Sequence, residues 1–337
     1  MTRHPVTRRR TVLALTAATA VVLAACASPD ESSDTSTDAG EEMVIGLTYT
    51  PDVQFAPFYV AEARGYYEDA GVDVTLRHHG ASESLFGALE AGEEDLVVAG
   101  GDEMLQARSA GVPVVNVATL YEEYPVVLIV PADSDITSAE DLAGRSVGIP
   151  GPFGETYFGL LALLADAGLT EDDLTVEHIG FTQQAALSAG HVDAVMGYAN
   201  NDAVQFAEAG VDVRTIPLGE VPLVGIGVGT HEDLLADDGG TVAAVVSATM
   251  RGVQDVVEDP AAAVDVAAEH VPGLADPAAR DAALATVEAT VPLYGSASGG
   301  NDLARWEAMA TFMSETGLLE GEVDVTAAVT NDAVAHP

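Results

Sequence analysis

The sequence predicts an α/β fold in which two lobes, each a sheet with its helices, face each other across a cleft. Its 337 residues are 48% hydrophobic, which is enough for two separate cores and excludes a disordered chain. From Met43 onward, short runs rich in β-branched residues alternate with helical stretches. The alternation restarts after a polar turn that follows Pro131, which indicates a second unit of about the same size.

The first lobe is predicted to span residues 43–130 and to begin with an apolar strand. Its strands are expected at residues 44–47, 72–76, 95–99, 114–118 and 126–130, and its helices at 57–70, 82–91 and 103–110. Because strands and helices alternate, the sheet should be mainly parallel.

The second lobe is predicted over residues 131–224, and residues 225–337 return the chain to the first lobe. Strands are expected at 146–149, 175–179, 194–196 and 213–216, with helices at 138–142, 156–167, 183–189 and 203–209. The final helices, at 242–258, 260–270, 277–287 and 302–316, are expected to pack on the first lobe. The two crossings, near Val130 and Val224, would leave a cleft at the carboxyl ends of the strands, where open sheets bind ligands.

The first 25 residues predict a signal peptide, with an arginine-rich start and an apolar run from Thr11 to Leu23. The Leu-Ala-Ala-Cys ending resembles the bacterial lipobox, in which cleavage precedes the cysteine, here Cys26, and the cysteine is lipidated. Residues 26–42 are polar and are predicted to be a disordered tether. We expect an exported protein, lipid-anchored to the outer face of the cell membrane. A buried cysteine is the alternative for Cys26, and twin-arginine export is the alternative route.

The charge is strongly acidic and excludes several functions. The chain has 54 Asp and Glu against 12 basic residues, all of them Arg, for a formal net charge of −42. Cleavage would remove four Arg and no acid, leaving 8 Arg against 54 acids, a net charge of −46. Nucleic acid is excluded as a partner, because binding it requires cations on the phosphates. The absence of Lys excludes P-loop and Schiff-base chemistry.

Aromatic residues are scarce, and they concentrate where the predicted cleft lies. Ten of the eighteen fall in four regions that follow the carboxyl ends of predicted strands. A ring there can stack on a flat ligand, which contributes roughly 0.5–1.5 kcal/mol beyond burial. The alternative is that several of these rings only pack in the core. The candidate ligand-binding aromatics are Phe55, Tyr121, Tyr124, Phe153 and Tyr198.

The strand ends also carry acids and amides, while the four aromatic-rich regions contain no Arg. The predicted orienting hydrogen bonds come from Asp52, Gln54, Asp102, Glu155 and Asn200. Gly154 and Thr156 are further candidates, because their loop opens a helix and offers free backbone N–H groups. Acids at the site favour a neutral or amino-bearing ring with N–H donors over a sulfonate or phosphate. The predicted partner is therefore a small molecule of that kind.

Catalytic and metal signals are weak. His78 and His79 with Glu83 suggest a metal site, but a second ligand cluster is lacking, which favours a solvated turn. No Gly-x-Ser-x-Gly nucleophile elbow is present. We predict no catalytic residue, no metal and no cofactor. Two alternatives stay open, a secreted enzyme acting on a ring in the cleft and a receptor that signals without transport.

Four segments occur in the order found in a known family. They are residues 54–61 (QFAPFYVA), 65–74 (GYYEDAGVDV), 141–150 (DLAGRSVGIP) and 190–195 (GHVDAV). They resemble the thiamine-pyrimidine-synthase-like family of solute-binding lipoproteins. The resemblance implies a type II periplasmic-binding-protein fold with two hinge crossings. It also implies a monomer that delivers a vitamin-related solute to an ABC permease and its ATPase.

Members of that family bind thiamine pyrimidine precursors, riboflavin or aliphatic sulfonates. Residues 149–154, 179–183 and 198–201 resemble the pyrimidine and riboflavin branch more than the sulfonate branch. A thiamine pyrimidine precursor is therefore the first expectation, with riboflavin or a sulfonate as alternatives. The fungal enzymes of the superfamily carry a cysteine-rich motif and use an active-site His and Lys. This chain has no such motif and no Lys, which predicts a binding protein and not an enzyme.

Overall fold

The computed structural model describes residues 41–80 and 83–334, so the predicted signal peptide, Cys26 and most of the predicted tether lie outside the described residues. The strands are β1 (Glu41–Leu47), β2 (Val72–His78), β3 (Leu96–Gly100), β4 (Val114–Thr119), β5 (Val126–Pro131), β6 (Ser146–Ile149), β7 (Thr175–His178), β8 (Ala194–Tyr198), β9 (Val213–Pro217) and β10 (Ile226–His231). The helices are α1 (Ala56–Ala63), α2 (Tyr66–Asp69), α3 (Gly87–Ala91), α4 (Gly101–Ser109), α5 (Gly154–Asp166), α6 (Gln183–Ser188), α7 (Asp202–Glu208), α8 (Glu232–Glu258), α9 (Pro260–Ala267), α10 (Pro277–Thr290), α11 (Leu303–Glu315) and α12 (Val325–Ala328). None of these helices combines the length and apolar character needed to cross a membrane.

The strands form two five-stranded sheets, in the orders β2-β1-β3-β10-β4 and β7-β6-β8-β5-β9. In the first sheet, β1 runs parallel to β2 and β3, whereas β10 runs antiparallel to β3 and β4. In the second, β6 runs parallel to β7 and β8, whereas β5 runs antiparallel to β8 and β9. Both sheets are therefore mixed and not mainly parallel as expected, because the strand that follows each crossing runs against its neighbours.

The chain passes between the sheets at two places. The first passage, at residues 120–125, comes earlier than the expected crossing near Val130. The reason is that residues 126–130, expected in the first lobe, pair with β8 and β9 and so belong to the second sheet. The return passage occupies residues 218–225, between β9 and β10.

The first sheet packs against α1, α8, α9 and α10 around one hydrophobic core. Helices α1 and α8 approach so closely that a Cβ on Gly252 would lie 2.1 Å from the carbonyl oxygen of Pro57. A glycine is therefore required at this crossing, since real Cβ atoms do not come that close to backbone.

The apolar face of α11 (Trp306, Met309 and Met313) is fully buried in a second core that also contains residues of α4, α5 and β5. Trp306 lies against the first lobe, since a Cβ on Gly101 of α4 would lie 3.1 Å from its ring. Helix α12, which follows, contacts α4 and β4. Helix α11 thus contacts the first lobe, on which it was expected, and it shares a core with the second sheet.

Two predicted boundaries also change. Glu41 and Glu42, expected to end the tether, are the first residues of β1 and lie opposite Val72 and Asp73 of β2. Backbone pairing orders them in spite of their polar side chains. The single helix expected at 57–70 is divided into α1 and α2 by Gly65, whose φ of 72° is left-handed.

Candidate functional site

The carboxyl ends of four parallel strands meet in pairs across the two sheets. Helix α4 follows β3 and brings Asp102 close to Glu155 of α5, which follows β6. The segment after β1 brings Gln54 against Asn200, which follows β8. Two contacts thus join the sheets at the edge where open α/β structures bind ligands.

We call the first of these the acid–tyrosine contact; it consists of Asp102, Glu103, Tyr124, Glu155 and Tyr198. Tyr124 Oη lies 2.7 Å from Asp102 Oδ2 and 2.9 Å from the backbone carbonyl oxygen of Glu155. Tyr198 Oη donates to Glu155 Oε2 at 2.6 Å. Asp102 is 0% exposed and Glu155 is 2% exposed, so two carboxyl groups from different lobes meet away from water.

These carboxyls favour their protonated forms. Burial raises the pKa of Asp102 well above its usual range, and the nearby Glu103 carboxylate adds to that shift. Burial, followed by the charge of Asp102, likewise raises the pKa of Glu155, and burial raises the pKa of Glu103. The single proton of Tyr124 cannot serve both of its neighbours fully. A protonated Asp102 can donate to Tyr124 Oη, which then donates to the carbonyl of Glu155.

We call the second the amide contact; it consists of Gln54, Asn200 and Thr290. Asn200 Nδ2 donates to Gln54 Oε1 at 3.2 Å and to Thr290 Oγ1 at 3.0 Å. Thr290 Oγ1 donates to the carbonyl of Thr286, one turn earlier in α10. Asp52 Oδ1 accepts from the backbone N and from Nε2 of Gln54, at 3.0 and 3.2 Å, which orients the amide. None of the three members carries a charge.

Each contact leaves one buried oxygen without a hydrogen-bond partner, Glu155 Oε1 and Asn200 Oδ1. A buried polar group without a partner costs about 1–3 kcal/mol, and native structures rarely leave one. Both oxygens belong to second-lobe residues that touch the first lobe. A ligand with N–H or O–H donors would satisfy both, and a protonated Glu155 can also donate to a ligand acceptor.

Tyr121 connects the surroundings of the two contacts. It is buried, and its ring meets the ring of Tyr294 edge-on with 5.5 Å between the centroids. Burial raises the pKa of Tyr121, and the charges of Glu155 and Asp52 raise it further. Hydrogen bonds with Asn200 and Thr290 act in the opposite direction and lower this pKa, so the Tyr121 hydroxyl lies beside the amide contact.

The remaining predicted residues lie further out. The ring of Phe55 meets His78 edge-on at 5.5 Å, and Phe153 is 54% exposed. Gly154 has a left-handed φ of 71°, and a Cβ there would lie 3.3 Å from Glu103 Oε1. Thr156 is buried in the first turn of α5. The structure thus brings together Asp52, Gln54, Asp102, Tyr121, Tyr124, Glu155, Tyr198 and Asn200, and it leaves Phe55, Phe153 and Thr156 outside both contacts.

Two members of the contacts were not predicted. Glu103 accepts a hydrogen bond from the backbone N of Gly100 at 3.0 Å, a pattern typical of a helix start that the sequence could have revealed. Thr290 lies in the alanine-rich C-terminal third, where no motif distinguishes one threonine from another. Its role follows only from the packing of α10 beside Asn200.

A groove of about 480 Å³ opens beside the amide contact, and we call it the outer groove. Both lobes and the C-terminal helices contribute to its walls. Its lining includes Asp52, Val53, Gln184, Asn201, Val204, Gln205, Glu208, Leu274, Ala283 and Thr286.

The turn at His79 is not solvated as expected. His79 is 3% exposed, and its Nε2 lies 2.7 Å from Oε1 of the buried Glu94. Glu83 joins them in a group whose potential ligand atoms lie within 4.8 Å of one another. Arg77 forms ion pairs with both Glu83 and Glu94, so a side-chain cation already offsets the two carboxylates. The group links β2 to the segment that precedes β3.

A family profile described as "NMT1/THI5 like" matches residues 52–263. The matched segment contains Gln54, Asp102, Glu155 and Asn200, and it includes every member of the two contacts except Thr290. It begins at Asp52, on the wall of the outer groove.

Curated relatives cover most of the chain. The riboflavin-binding protein RibY of Chloroflexus aurantiacus is 33% identical over 305 residues, which cover 87% of this chain and 86% of the relative. The formylaminopyrimidine-binding protein of Halalkalibacterium halodurans is 26% identical over 249 residues, which cover 72% of this chain and 74% of that relative. A 4-amino-5-hydroxymethyl-2-methylpyrimidine phosphate synthase of Aspergillus parasiticus is 28% identical over 154 residues, 45% of this chain and 44% of that enzyme. Binding proteins and enzymes therefore both occur among the relatives.

The fold also matches solved structures. The periplasmic aliphatic sulphonate binding protein SsuA from Escherichia coli superposes with a TM-score of 0.68 at 18% identity, covering 86% of this chain and 92% of that one. The two mixed sheets with their helices therefore form a periplasmic-binding-protein fold, as the sequence predicted.

Proposed function

The chain belongs to the NMT1/THI5-like family, and we propose that it is the solute-binding component of an ABC importer, which holds a flat heteroaromatic solute between its two lobes. Closure of the lobes on the solute would present a complex that the permease recognises. The two lobes, each built on one five-stranded sheet, would close about hinges at residues 120–125 and 218–225.

The observation that carries this proposal is the pair of unpartnered buried oxygens, Glu155 Oε1 and Asn200 Oδ1. Their residues follow neighbouring strands, β6 and β8, and we propose that one planar ring bridges the two oxygens. A ring with N–H groups and carbonyl oxygens supplies donors to the two oxygens and an acceptor to a protonated Glu155. The rings of Tyr121 and Tyr198 supply apolar surface beside it.

We propose a flavin as the first solute class. The identity to the riboflavin-binding relative extends over more of the chain than the identity to the pyrimidine-binding relative. An isoalloxazine ring carries an imide N–H between two carbonyls, which fits the donor and acceptor needs of Glu155 and Asn200. A thiamine pyrimidine precursor, our first expectation from sequence, is the second candidate, supported by the formylaminopyrimidine-binding relative.

A sulfonate fits less well, although the SsuA neighbour binds one. Asp102, Glu103 and Glu155 place carboxyl groups at one end of the site, and the members of both contacts include no cation. An anionic solute would find no cation to pair with there, only carboxyl groups that repel it once they ionise. The sulfonate relationship therefore supports the fold and not the ligand.

We further propose that the solute is released unchanged. The lysine-free chain lacks the Lys that the family's pyrimidine-making enzymes use, and it has one cysteine. Export as a lipoprotein anchored through Cys26, with signal peptide 1–25 and a tether that ends before β1, completes the proposal. The protein would act as a monomer with a membrane permease and ATPase.

The test uses the chain from Ala27 onward, titrated with riboflavin, 4-amino-5-hydroxymethyl-2-methylpyrimidine, thiamine and taurine. Binding should quench riboflavin fluorescence and raise the unfolding temperature. At a riboflavin concentration a hundredfold above Kd, the free energy of unfolding should rise by about 2.7 kcal/mol. Mass spectrometry of the released ligand should return the starting mass. A thermal shift with taurine alone would overturn the ligand class, and a changed mass would overturn the binding-protein assignment.

A further inference from the structure

We propose that the outer groove is a second subsite, which receives a neutral, hydroxyl-bearing chain attached to the ring held between the two contacts. The inference rests on the proposed function, since it names what else the same solute must carry. For a flavin this chain is the ribityl group. The groove would then make the protein select a ring with a polyol chain over the bare ring.

The position of the groove supports this role. Asp52 lines the groove and also accepts both hydrogen bonds from Gln54, a member of the amide contact. Thr286 lines the groove, and its carbonyl accepts from Thr290, another member. On the second lobe, Asn201 of the groove directly follows Asn200. The groove therefore borders the residues that hold Asn200 and Gln54 in the amide contact.

The walls of the groove have the chemistry that a polyol requires. Gln184, Asn201 and Gln205 offer amide donors and acceptors, while Val204 and Leu274 give apolar surface for carbon atoms. Hydroxyl groups pair with amides in either direction, because each hydroxyl both donates and accepts. Its volume of about 480 Å³ lies within the range of small-molecule sites.

The acidic residues on the groove walls favour a neutral chain over a phosphorylated one. Asp52 and Glu208 both line the groove, and its described lining includes no Arg or His. A terminal phosphate would meet two carboxylates and no cation, whereas a neutral hydroxyl can donate to either carboxylate. The groove should therefore admit riboflavin and reject its phosphate ester, FMN.

The groove also forms from both lobes. Val53 follows β1 in the first lobe, Val204 and Gln205 lie on α7 in the second, and Ala283 lies on α10. A chain seated there would touch both sides of the closed form. Its contacts would then stabilise closure in addition to those that the ring makes.

The experiment compares riboflavin, lumiflavin (the same ring with a methyl in place of the chain) and FMN on the chain from Ala27 onward. Wild type should bind riboflavin at least about tenfold more tightly than lumiflavin or FMN, as one to two added hydrogen bonds imply. Val204→Trp fills the groove, so the affinity for riboflavin should fall about tenfold, while the affinity for lumiflavin should change less than about twofold. Ala207→Trp, on the exposed side of the same helix, is the matched control and should change neither.

A second variant tests the charge argument without filling space. Glu208→Arg should raise the affinity for FMN about tenfold relative to that for riboflavin, because the phosphate then meets a cation. Circular dichroism of each variant confirms that it is folded. Equal affinities for riboflavin and lumiflavin in wild type, or equal losses of both in Val204→Trp, would overturn the groove proposal and leave the ring site standing. Failure of wild type to bind either flavin would overturn the flavin as the solute, and the groove assignment with it, whereas binding of the pyrimidine would keep the proposed importer function.

Discussion

The acid–tyrosine contact and the amide contact join the same two lobes with opposite chemistry. The first buries two carboxyl groups that need protons to coexist, while the second uses neutral side chains that hydrogen-bond at any pH. Each lies where a strand end of one sheet meets a strand end of the other, and each leaves one oxygen unpaired. The difference predicts that pH affects the acid–tyrosine contact and not the amide contact, which borders the outer groove.

The largest expected effect comes from removing the carboxyl that both binds and bridges. Glu155→Ala deletes the unpartnered oxygen and the acceptor for Tyr198, so riboflavin affinity should fall about a hundredfold by titration calorimetry. Glu220→Ala, which removes an exposed acid, is the control for net charge. A loss below about threefold in Glu155→Ala would remove this residue from the ligand site.

A second variant introduces a carboxyl group into the amide contact, like those of the acid–tyrosine contact. Asn200→Asp places a carboxylate beside Gln54 and near Asp52, so riboflavin affinity should fall about tenfold between pH 5 and pH 8. Asn200→Ala, which removes the amide and adds no charge, isolates the loss of the side chain and should weaken binding equally at both pH values. A flat pH profile in Asn200→Asp would show that the site does not sense charge at this position.

The third prediction concerns stability in the absence of ligand. The pKa values of Asp102 and Glu155 are raised in the folded protein, chiefly by burial, so the folded state holds protons that the unfolded state releases. The free energy of unfolding should therefore fall as pH rises from the ordinary carboxyl range through the raised pKa values. Thermal unfolding should show a smaller fall in Asp102→Asn than in wild type, with Glu220→Gln behaving like wild type. Parallel pH profiles for wild type and Asp102→Asn would contradict the assignment.

The smallest effects come from single hydroxyls, one in each contact. Tyr198→Phe removes the donor to Glu155, and Thr290→Val removes an acceptor from Asn200. Each should lower the free energy of unfolding by about 1 kcal/mol in urea denaturation. Only Tyr198→Phe should also alter the pH dependence of stability, since Thr290 touches no carboxyl. Identical pH profiles for the two variants would remove the distinction between the contacts.

The sequence predicts the alternation of elements well but not which sheet each joins. Periodicity located β5 within a residue, yet only pairing with β8 and β9 assigns it to the second sheet. A similar limit applies to α11, whose apolar residues do not reveal that its core is shared by α4 of the first lobe and β5 of the second sheet. Sheet membership depends on contacts between residues far apart in sequence, and local patterns do not record those contacts.

The site was predicted in part for a physical reason. Asp102 and Asn200 are polar residues two positions after apolar strands, Glu155 opens the helix that follows β6, and the fold brings such positions together. Phe153 was predicted because it is an aromatic residue in a turn that follows an apolar strand, but its ring is half exposed. The sequence does not record side-chain direction in a glycine-rich loop. Thr290 was missed because its position depends on how α10 packs beside α7 and Asn200, and no local signal marks it.

The central claim is that the unpaired oxygens of Glu155 and Asn200 receive donors from a heteroaromatic ring. The most direct test is the affinity of the wild-type chain for riboflavin and for riboflavin methylated at the ring imide nitrogen, measured side by side by fluorescence titration. We expect methylation, which removes the ring N–H and keeps the polyol chain, to weaken binding at least about tenfold. Equal affinities for the two compounds would contradict it.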